Sequence, residues 1–425
     1  MIFLLAAVFL VTLALGFPVA FCLGLTSLAA LWQKGVMLSL MAQRIFTGID
    51  SFPLMAVPFF VLAGALMNRG GTTRRLIDFA NVLVGRIPGG LAHTNIVASM
   101  FFGGISGSAV ADAAAMGSIL VPGMIRKGFP PGFSAAVTAA SSTMGPNIPP
   151  SILMVIMGVT TGLSIGGLFA AGIIPGLMLG FSMMALSFFM ALRKHFPRET
   201  APFTLGRLGR EFLSAAPALL APLIILGGIL FGIFTATESA AVAVVYALFV
   251  GMFVYKKIKV KDLVHLFRDG AITSSIVMFI IATASIFSWI AAIEDIPASL
   301  AGSLLGMTQN PVMLLLIINL ILLIAGTFVE TTAALILLVP MITAMVSTLG
   351  IDMIQLGVIV VTNLAIGMLT PPLGICLIVS GAISGDNIAA ISRRIVPFLA
   401  LLLIDLLIIT FYSPLTMWLA RMVAK

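Results

Sequence analysis

The sequence predicts an all-α membrane protein: an inverted-repeat transporter fold of two related halves, each with a re-entrant helical hairpin and a discontinuous helix. Composition, broken apolar stretches that recur at a fixed spacing, and one-sided basic residues predict it. Of 425 residues 61% are hydrophobic and 8% charged, with a mean hydropathy of +1.23. A soluble domain carries charge on about 25% of its residues, so the polar surface needed to cover this mass in water is missing. The solvent is a lipid bilayer. The net charge of +8 reads as loop orientation, with no nucleic-acid role. Cys22 and Cys376 lie in apolar runs without metal or redox spacing, and read as small buried hydrophobes. The N-terminal stretch lacks a basic n-region and an A-x-A cleavage site, and runs past Phe17-Pro18 as a first membrane helix.

A spanning helix needs about 20 apolar residues. Runs of that kind cover 2–31, 51–68, 163–192, 213–234, 236–255, 270–293 and 395–413. Stretches 93–125 and 311–346 exceed one span, with Gly103 to Ser108 and Ala325-Gly326-Thr327 near their middles. Each half is about 15 residues, or about 22 Å of helix, too short for a ~30 Å core. Two re-entrant hairpins follow. Stretches 132–158 and 353–384 are interrupted by Pro146-Asn147-Ile148-Pro149-Pro150 and Thr370-Pro371-Pro372, which remove N–H donors and break the helices.

The broken pieces repeat. Val121-Pro122 matches Val339-Pro340 and Asp112 matches Glu330 at an offset of 218, whereas Gly145/Gly367, Pro150/Pro372 and Ile174-Pro175/Val396-Pro397 share 222. One four-residue insertion reconciles the two. Eighteen of the 22 basic residues cluster at 69–86, 126–127, 193–210, 256–268 and 393–394, and none occurs from 269 to 392. The positive-inside rule makes the clusters cytoplasmic and Glu294-Asp295 external. The hairpins then open from opposite sides. Lys34, Arg44, Arg421 and Lys425 fall on the outer side in this scheme. The resulting division is 1–92 scaffold and arm, 93–192 hairpin and broken helix of the first repeat, 193–235 linking segment, 236–310 second scaffold and arm, and 311–425 second transport elements.

Inverted halves of this kind place solute near the bilayer midplane. Half-helix N-termini offer N–H groups to an anion, while unwound backbone and hydroxyls offer oxygens to Na⁺. The hairpin tips Ser106/Ser108 and Gly326/Thr327, with the breaks Ser141 to Asn147 and Asn363 to Pro371, supply those groups. For the solute the candidates are Ser106, Ser108, Thr143, Asn147, Thr327 and Asn363. Helix packing is the alternative, since Gly103-x-x-x-Gly107, Gly172-x-x-x-Gly176 and Gly381-x-x-x-Gly385 fit small-residue contacts. Asp112 and Glu330 read either as ion ligands or as caps; Thr327-x-x-Glu330 has capping-box spacing. Thr235-Ala236-Thr237-Glu238 has that spacing too and reads as structural. Asp405 is compatible with snorkelling, a helix–helix hydrogen bond or a functional role. His93, His195 and His265 have no ligand spacing and read as interfacial, so no metal site is expected among them. No G-x-x-x-x-G-K-[ST] occurs, so transport must be secondary. An intramembrane hydrolase would need a nucleophile with its base or paired carboxylates, and Asp112 and Glu330 lie in opposite hairpins.

Phe101 to Ala109 (FFGGISGSA), Ser141 to Ser151 (SSTMGPNIPPS), Ala171 to Gly176 (AGIIPG) and Phe234 to Val242 (FTATESAAV) resemble the large membrane subunit of TRAP transporters, the tripartite ATP-independent periplasmic carriers. The resemblance spans nearly the whole chain; Ala236 stands where the family often has Pro. It implies a multi-pass permease of the bacterial inner membrane and Na⁺-driven uptake of an organic acid, such as a C4-dicarboxylate or a sugar acid like sialic acid. It implies as partners a periplasmic solute-binding protein and a small membrane subunit, here a separate polypeptide. It further implies an elevator movement, no enzymatic activity, and at least two Na⁺, held by Ser106, Ser108, Gly145 and Ile148 and by Gly326, Val329, Gly367 and Thr370. A stand-alone Na⁺/dicarboxylate symporter is the alternative within transporters.

Overall fold

The computed structural model describes residues 1–199, 203–308, 310–346 and 350–423, and Lys425 lies outside them. The described residues form helices and connections, with no strand among them. The N-terminal apolar run divides into α1 (Ile2–Ala14) and α2 (Val19–Gln33). Gly16 takes φ +83° and Pro18 has no N–H to continue the ladder, which corrects the single helix read over 2–31. α3 (Ser39–Ile49) follows, and a 3-10 turn at Phe52–Met55 leads into α4 (Ala56–Arg69). α5 (Thr72–Val84) is amphipathic, burying Leu76, Ile77 and Ala80.

The first hairpin is α6 (Gly90–Ser106) and α7 (Ala109–Arg126), turning at Gly107, φ +58°, and Ser108. The first broken helix is α8 (Pro131–Ser142) and α9 (Ile152–Thr161), followed by the long α10 (Ile165–Lys194). α11 (Leu205–Leu230) and α12 (Ala236–Phe249) come next, α12 continuing through a π turn at Val250–Val254. The second half repeats the order. α13 (Val260–Ile293) and α14 (Ile296–Met307) precede a hairpin of α15 (Pro311–Phe328) and α16 (Thr331–Val346). A broken helix of α17 (Met353–Gly367) and α18 (Ile375–Ser384) leads to α19 (Ile388–Phe411) and α20 (Ser413–Val423). Eight helical segments among the described residues are long and apolar enough to cross a membrane. The basic connections are more helical than the charge pattern suggests: α11 begins at Leu205, and α13 at Val260 within the 256–268 cluster. At 34 residues α13 is about 51 Å long, so one end stands clear of a ~30 Å core.

Contacts at the helix ends sort the charges. Lys34 pairs with Glu294, and the Arg44 guanidinium lies 4.8 Å from the centre of the Trp289 ring. Both cations share the Glu294 end of α13, as the charge scheme requires. At the basic end Arg75 lies 3.7 Å over Tyr255, and Lys127 Nζ is 2.8 Å from a Glu199 carboxylate oxygen. Hydrophobic packing joins the two broken helices to α10 and α19, with Phe133, Phe398, Ile366 and Leu179 fully buried in one cluster.

Candidate solute and cation site

The site begins where hairpin tips meet helix breaks. At Gly103 an added Cβ would stand 3.2 Å from the Gly145 Cα, and at Gly145 one would stand 3.0 Å from the Ser108 carbonyl oxygen. At Gly107 a Cβ would come within 2.7 Å of the Pro150 carbonyl. Backbone therefore lies on backbone, which only glycine permits. The second half repeats this contact, since a Cβ on Gly367 would meet Gly326 Cα and C at 2.7 Å. α10 closes on the first break through Gly172 and Gly176, where a Cβ would approach the Asn147 carbonyl and the Ile148 side chain at 2.6 Å. Ser106, Ser108, Gly145 and Ile148 are thus brought to one junction, and Gly326 and Gly367 to another. Val329 ends α15, and Thr370 lies in the second break with its hydroxyl donating to Ile366 O at 3.1 Å.

The second tip differs from the sequence expectation. Ala325, Gly326 and Thr327 remain helical, and the chain turns at Val329-Glu330. Gly326 serves close approach to Gly367 instead of a turn. Thr327 Oγ1 donates to Leu323 O at 2.8 Å, so no capping box forms with Glu330. Glu330 itself caps α16: one carboxylate oxygen accepts from Ala333 N at 3.1 Å, the other from the Thr332 and Thr331 hydroxyls at 2.9 and 3.2 Å. Its counterpart by position is Ser108, 222 residues earlier, which caps α7 by accepting from Ala111 N at 3.4 Å. Asp112 is therefore not its equivalent, and capping does not describe it. It is fully buried in the first turn of α7.

A cavity of about 530 Å³ opens beside the first tip. The first residues of three helices line it: Ala109 to Ala111 of α7, Ile152 and Leu153 of α9, and Thr331 and Thr332 of α16. Helix N-termini carry N–H groups and a partial positive charge, so the starts of α7 and α9 suit an anion, whereas the start of α16 is already capped by the Glu330 carboxylate, which lines the same cavity. Ser106 and Ser108 line it too; Ser106 is 6% exposed, and its buried hydroxyl has no hydrogen-bond partner. An orphaned hydroxyl among carbonyls and glycines fits the hard, neutral oxygens that Na⁺ takes at such breaks. The remaining walls follow α4 from Val61 to Asn68, α7 as far as Ser118 and Ile119, and α13 from Val277 back to Asp269. Each wall runs toward a basic helix end, at Arg69, Arg126 and Arg268. Asn68, Ser118, Asp269, Thr273, Thr331 and Thr332 had no signal in the sequence, because they belong to scaffold helices or carry no break.

Thr143, Asn147, Thr327 and Asn363 do not line this cavity. Asn147 Oδ1 accepts from the Thr362 hydroxyl at 2.5 Å, and its amide donates to Thr143 O at 2.8 Å. The Asn363 amide donates to the Asn319 carbonyl and side-chain oxygen at 2.9 and 2.7 Å. Asn147 thus ties the first break to α17 of the other half, whereas Asn363 joins α17 to α15 within the second half.

Other residues resolve plainly. Thr235 and Glu238 form the capping box, with Thr235 N donating to the carboxylate at 2.8 Å. The Ser182 hydroxyl donates to Asp405 at 2.5 Å, so Asp405 makes a helix–helix hydrogen bond between α10 and α19. His93 is buried in the first turn of α6, one ring nitrogen 3.2 Å from the Pro88 carbonyl. Both cysteines are buried.

Residues 6–415 match the family described as "Tripartite ATP-independent periplasmic transporter, DctM component". The chain is 40% identical over 413 residues to the isethionate TRAP transporter permease protein DctMQ of Oleidesulfovibrio alaskensis, covering 97% of this chain and 65% of that protein. It therefore spans about two-thirds of that relative's length. It is 40% identical to the sialic acid TRAP transporter large permease protein SiaM of Vibrio cholerae, over 96% of this chain and 95% of that one. Against the C4-dicarboxylate TRAP transporter large permease protein DctM of Pseudomonas aeruginosa the identity is 42%, over 87% of each. Among solved structures, the Alcanivorax borkumensis YdaH transporter superposes with a TM-score of 0.61 at 14% identity, over 89% of this chain and 90% of that one. That likeness concerns the fold.

Proposed function

The chain belongs to the DctM component family of tripartite ATP-independent periplasmic transporters, and on that premise we propose that it is the large permease subunit of a Na⁺-driven importer of an organic acid. The observation that carries the reading is the cavity beside the first hairpin tip, lined by the starts of α7 and α9 and by the unpartnered Ser106 hydroxyl. A carboxylate there is held by N–H groups and helix dipoles, without a buried cationic side chain. Relatives of comparable length are named for sialic acid and C4-dicarboxylates, which supports an organic acid as cargo and membership of a tripartite system. The partners are a small membrane subunit and a periplasmic binding protein, and the location is the bacterial inner membrane. The names of the relatives weigh against a stand-alone symporter.

Na⁺ supplies the positive charge and the coupling to the ion gradient. Ser106, Ser108, Gly145 and Ile148 would hold one ion and Gly326, Val329, Gly367 and Thr370 another, with the orphaned Ser106 hydroxyl as the clearest vacant donor atom. The hairpins enter the membrane from opposite sides and move with the broken helices as an elevator against the scaffold of α4, α11, α12 and α13. Because the cavity walls run to the basic ends of α4, α7 and α13, the cavity faces the cytoplasm in this conformation. Thermal stability of the purified chain, titrated with NaCl against KCl, tests the cation site. Na⁺ should stabilise the protein, and Ser106→Ala should lower its Na⁺ affinity by about tenfold, one lost ligand costing about 1–2 kcal/mol. Unchanged Na⁺ affinity in this variant would remove Ser106 from the site.

A further inference from the structure

We infer that the corner between α4 and α5 and the corner between α12 and α13 together bind an anionic phospholipid, its phosphate between Arg75 and Lys257 and its acyl chains along Phe249 and Phe253. The inference is independent of the transported solute. Two glycines bring the corners together: a Cβ on Gly70 would stand 3.3 Å from the Gly251 Cα, so the end of α4 lies on the π turn that closes α12. Past that turn Lys257 N donates to Gly251 O at 2.9 Å, which folds the lysines back over α4. A Cβ on Gly71 would have Arg75 Nη1 at 3.0 Å and Lys257 Cγ at 3.5 Å. The two side chains thus meet over one point. Arg75 is held there, since Nη1 donates to Gly71 O at 3.0 Å and Cζ lies 3.7 Å from the centre of the Tyr255 ring. A guanidinium has five N–H donors, so others remain for phosphate oxygens.

The charge at these corners is not balanced by the protein. Arg69, Lys256 and Lys257 are exposed and Arg75 is half-buried, and none of the four forms an ion pair among the described residues. Two acids lie near them along the chain. Asp78, further along α5, sits in the field of Arg74, Arg75, Arg207 and Glu211, and Asp262 accepts from Lys259 N at 3.0 Å. Positive charge is left in excess at a helix end that the basic clustering assigns to the cytoplasm, where the leaflet carries anionic lipid and basic pockets between helices take its headgroups. A free anion would use the cations alone, but the surface beside them is apolar. Phe249 and Phe253 are 54% and 64% exposed, with ring centres 5.6 Å apart, and end α12 just before the lysines. Cations over an exposed aromatic stripe match a molecule with a phosphate above and hydrocarbon below.

The test uses the full chain purified in detergent, with dioleoyl phosphatidylglycerol, dioleoyl phosphatidylcholine and sodium phosphate as probes, and lipid adducts in native mass spectrometry and the unfolding temperature as readouts. Phosphatidylglycerol should bind about tenfold or more tightly than phosphatidylcholine and raise the unfolding temperature, and phosphate should do neither. Lys256→Gln with Lys257→Gln, at exposed positions, should remove most of that preference, whereas Arg193→Gln with Lys194→Gln, at the end of α10, should keep it. Equal binding of the two lipids to the unaltered chain would overturn the inference, as would a lysine variant that keeps the full preference or a control variant that loses as much. Stabilisation by phosphate equal to that by phosphatidylglycerol would also overturn it, in favour of a free anion. Loss of phosphatidylglycerol on addition of the small membrane subunit would overturn it by giving this face to that partner. Should the lysine variant fail to fold, the three probes on the unaltered chain decide alone. None of these outcomes alters the permease reading, which stands or falls on solute uptake.

Discussion

Replacing Gly367 by alanine probes the contact on which the second proposed cation site depends. The new Cβ would stand 2.7 Å from both Gly326 Cα and Gly326 C, and 3.1 Å from Gly326 O. Ordinary carbon contacts begin near 3.5 Å, so hairpin and broken helix must separate by almost an ångström. No flexible side chain can yield, because the obstacle is backbone on both sides. Overpacking of this sort costs about 1–3 kcal/mol, and the rigid obstacle places Gly367→Ala near the upper end. One kcal/mol moves the midpoint by about 2–4 °C in a chain of 150–250 residues. For a chain of 425 residues the same scaling gives about 1–2 °C, hence a fall of about 3–6 °C. Gly123→Ala is the control, since a Cβ there meets nothing within 4 Å and alanine is the better helix former by about 1 kcal/mol. Apparent unfolding temperatures in detergent, at one scan rate and with and without NaCl, give the comparison. Gly367→Ala should lose stability and the second site's share of the response to Na⁺. A Gly367→Ala protein as stable as Gly123→Ala, with its Na⁺ response intact, would refute the backbone-contact argument.

Two further outcomes follow from contacts outside the site. Ser182→Ala removes the 2.5 Å hydrogen bond to Asp405, a residue only 4% exposed, and leaves its carboxylate without that donor. The cost should be about 1–3 kcal/mol, read as a lower unfolding temperature, and Asp405→Leu in the same chain should recover part of it. Lys257→Cys, at the basic end of the scaffold, should resist an impermeant thiol reagent in intact cells and react in inside-out vesicles; labelling in intact cells would reverse the orientation.

The sequence spoke clearly where covalent chemistry dictates the backbone. Pro149-Pro150 and Pro371-Pro372 mark the two breaks, and the charged ends of α4, α10 and α13 sort the sides. It was less legible where one residue type serves two purposes. Gly326 looked like a turn, but its missing Cβ admits Gly367 and the helix continues to Phe328. The actual turn, Val329-Glu330, has neither Gly nor Pro to announce it. Conversely, the Gly16 to Pro18 corner lay inside an apolar run, where hydropathy hides a chain reversal. Ser106 and Ser108 could be placed from the tip motif alone. Asn68, Asp269 and Thr273 could not, because they reach the cavity from α4 and α13, distant in sequence from the hairpins. The Asp112/Glu330 pairing failed for a related reason: equal spacing aligned two acids, whereas the caps that start α7 and α16 are Ser108 and Glu330.

The central claim is that this chain imports an organic acid on a Na⁺ gradient only as part of a three-component system. In the proposed system high-affinity capture falls to the periplasmic binding protein. Proteoliposomes holding this chain with its small subunit, under an inward Na⁺ gradient, should accumulate radiolabelled acid when the solute-loaded binding protein is added. Omitting Na⁺, the small subunit or the binding protein should each reduce uptake to background. Accumulation by this chain alone at the rate of the complete mixture would contradict the account.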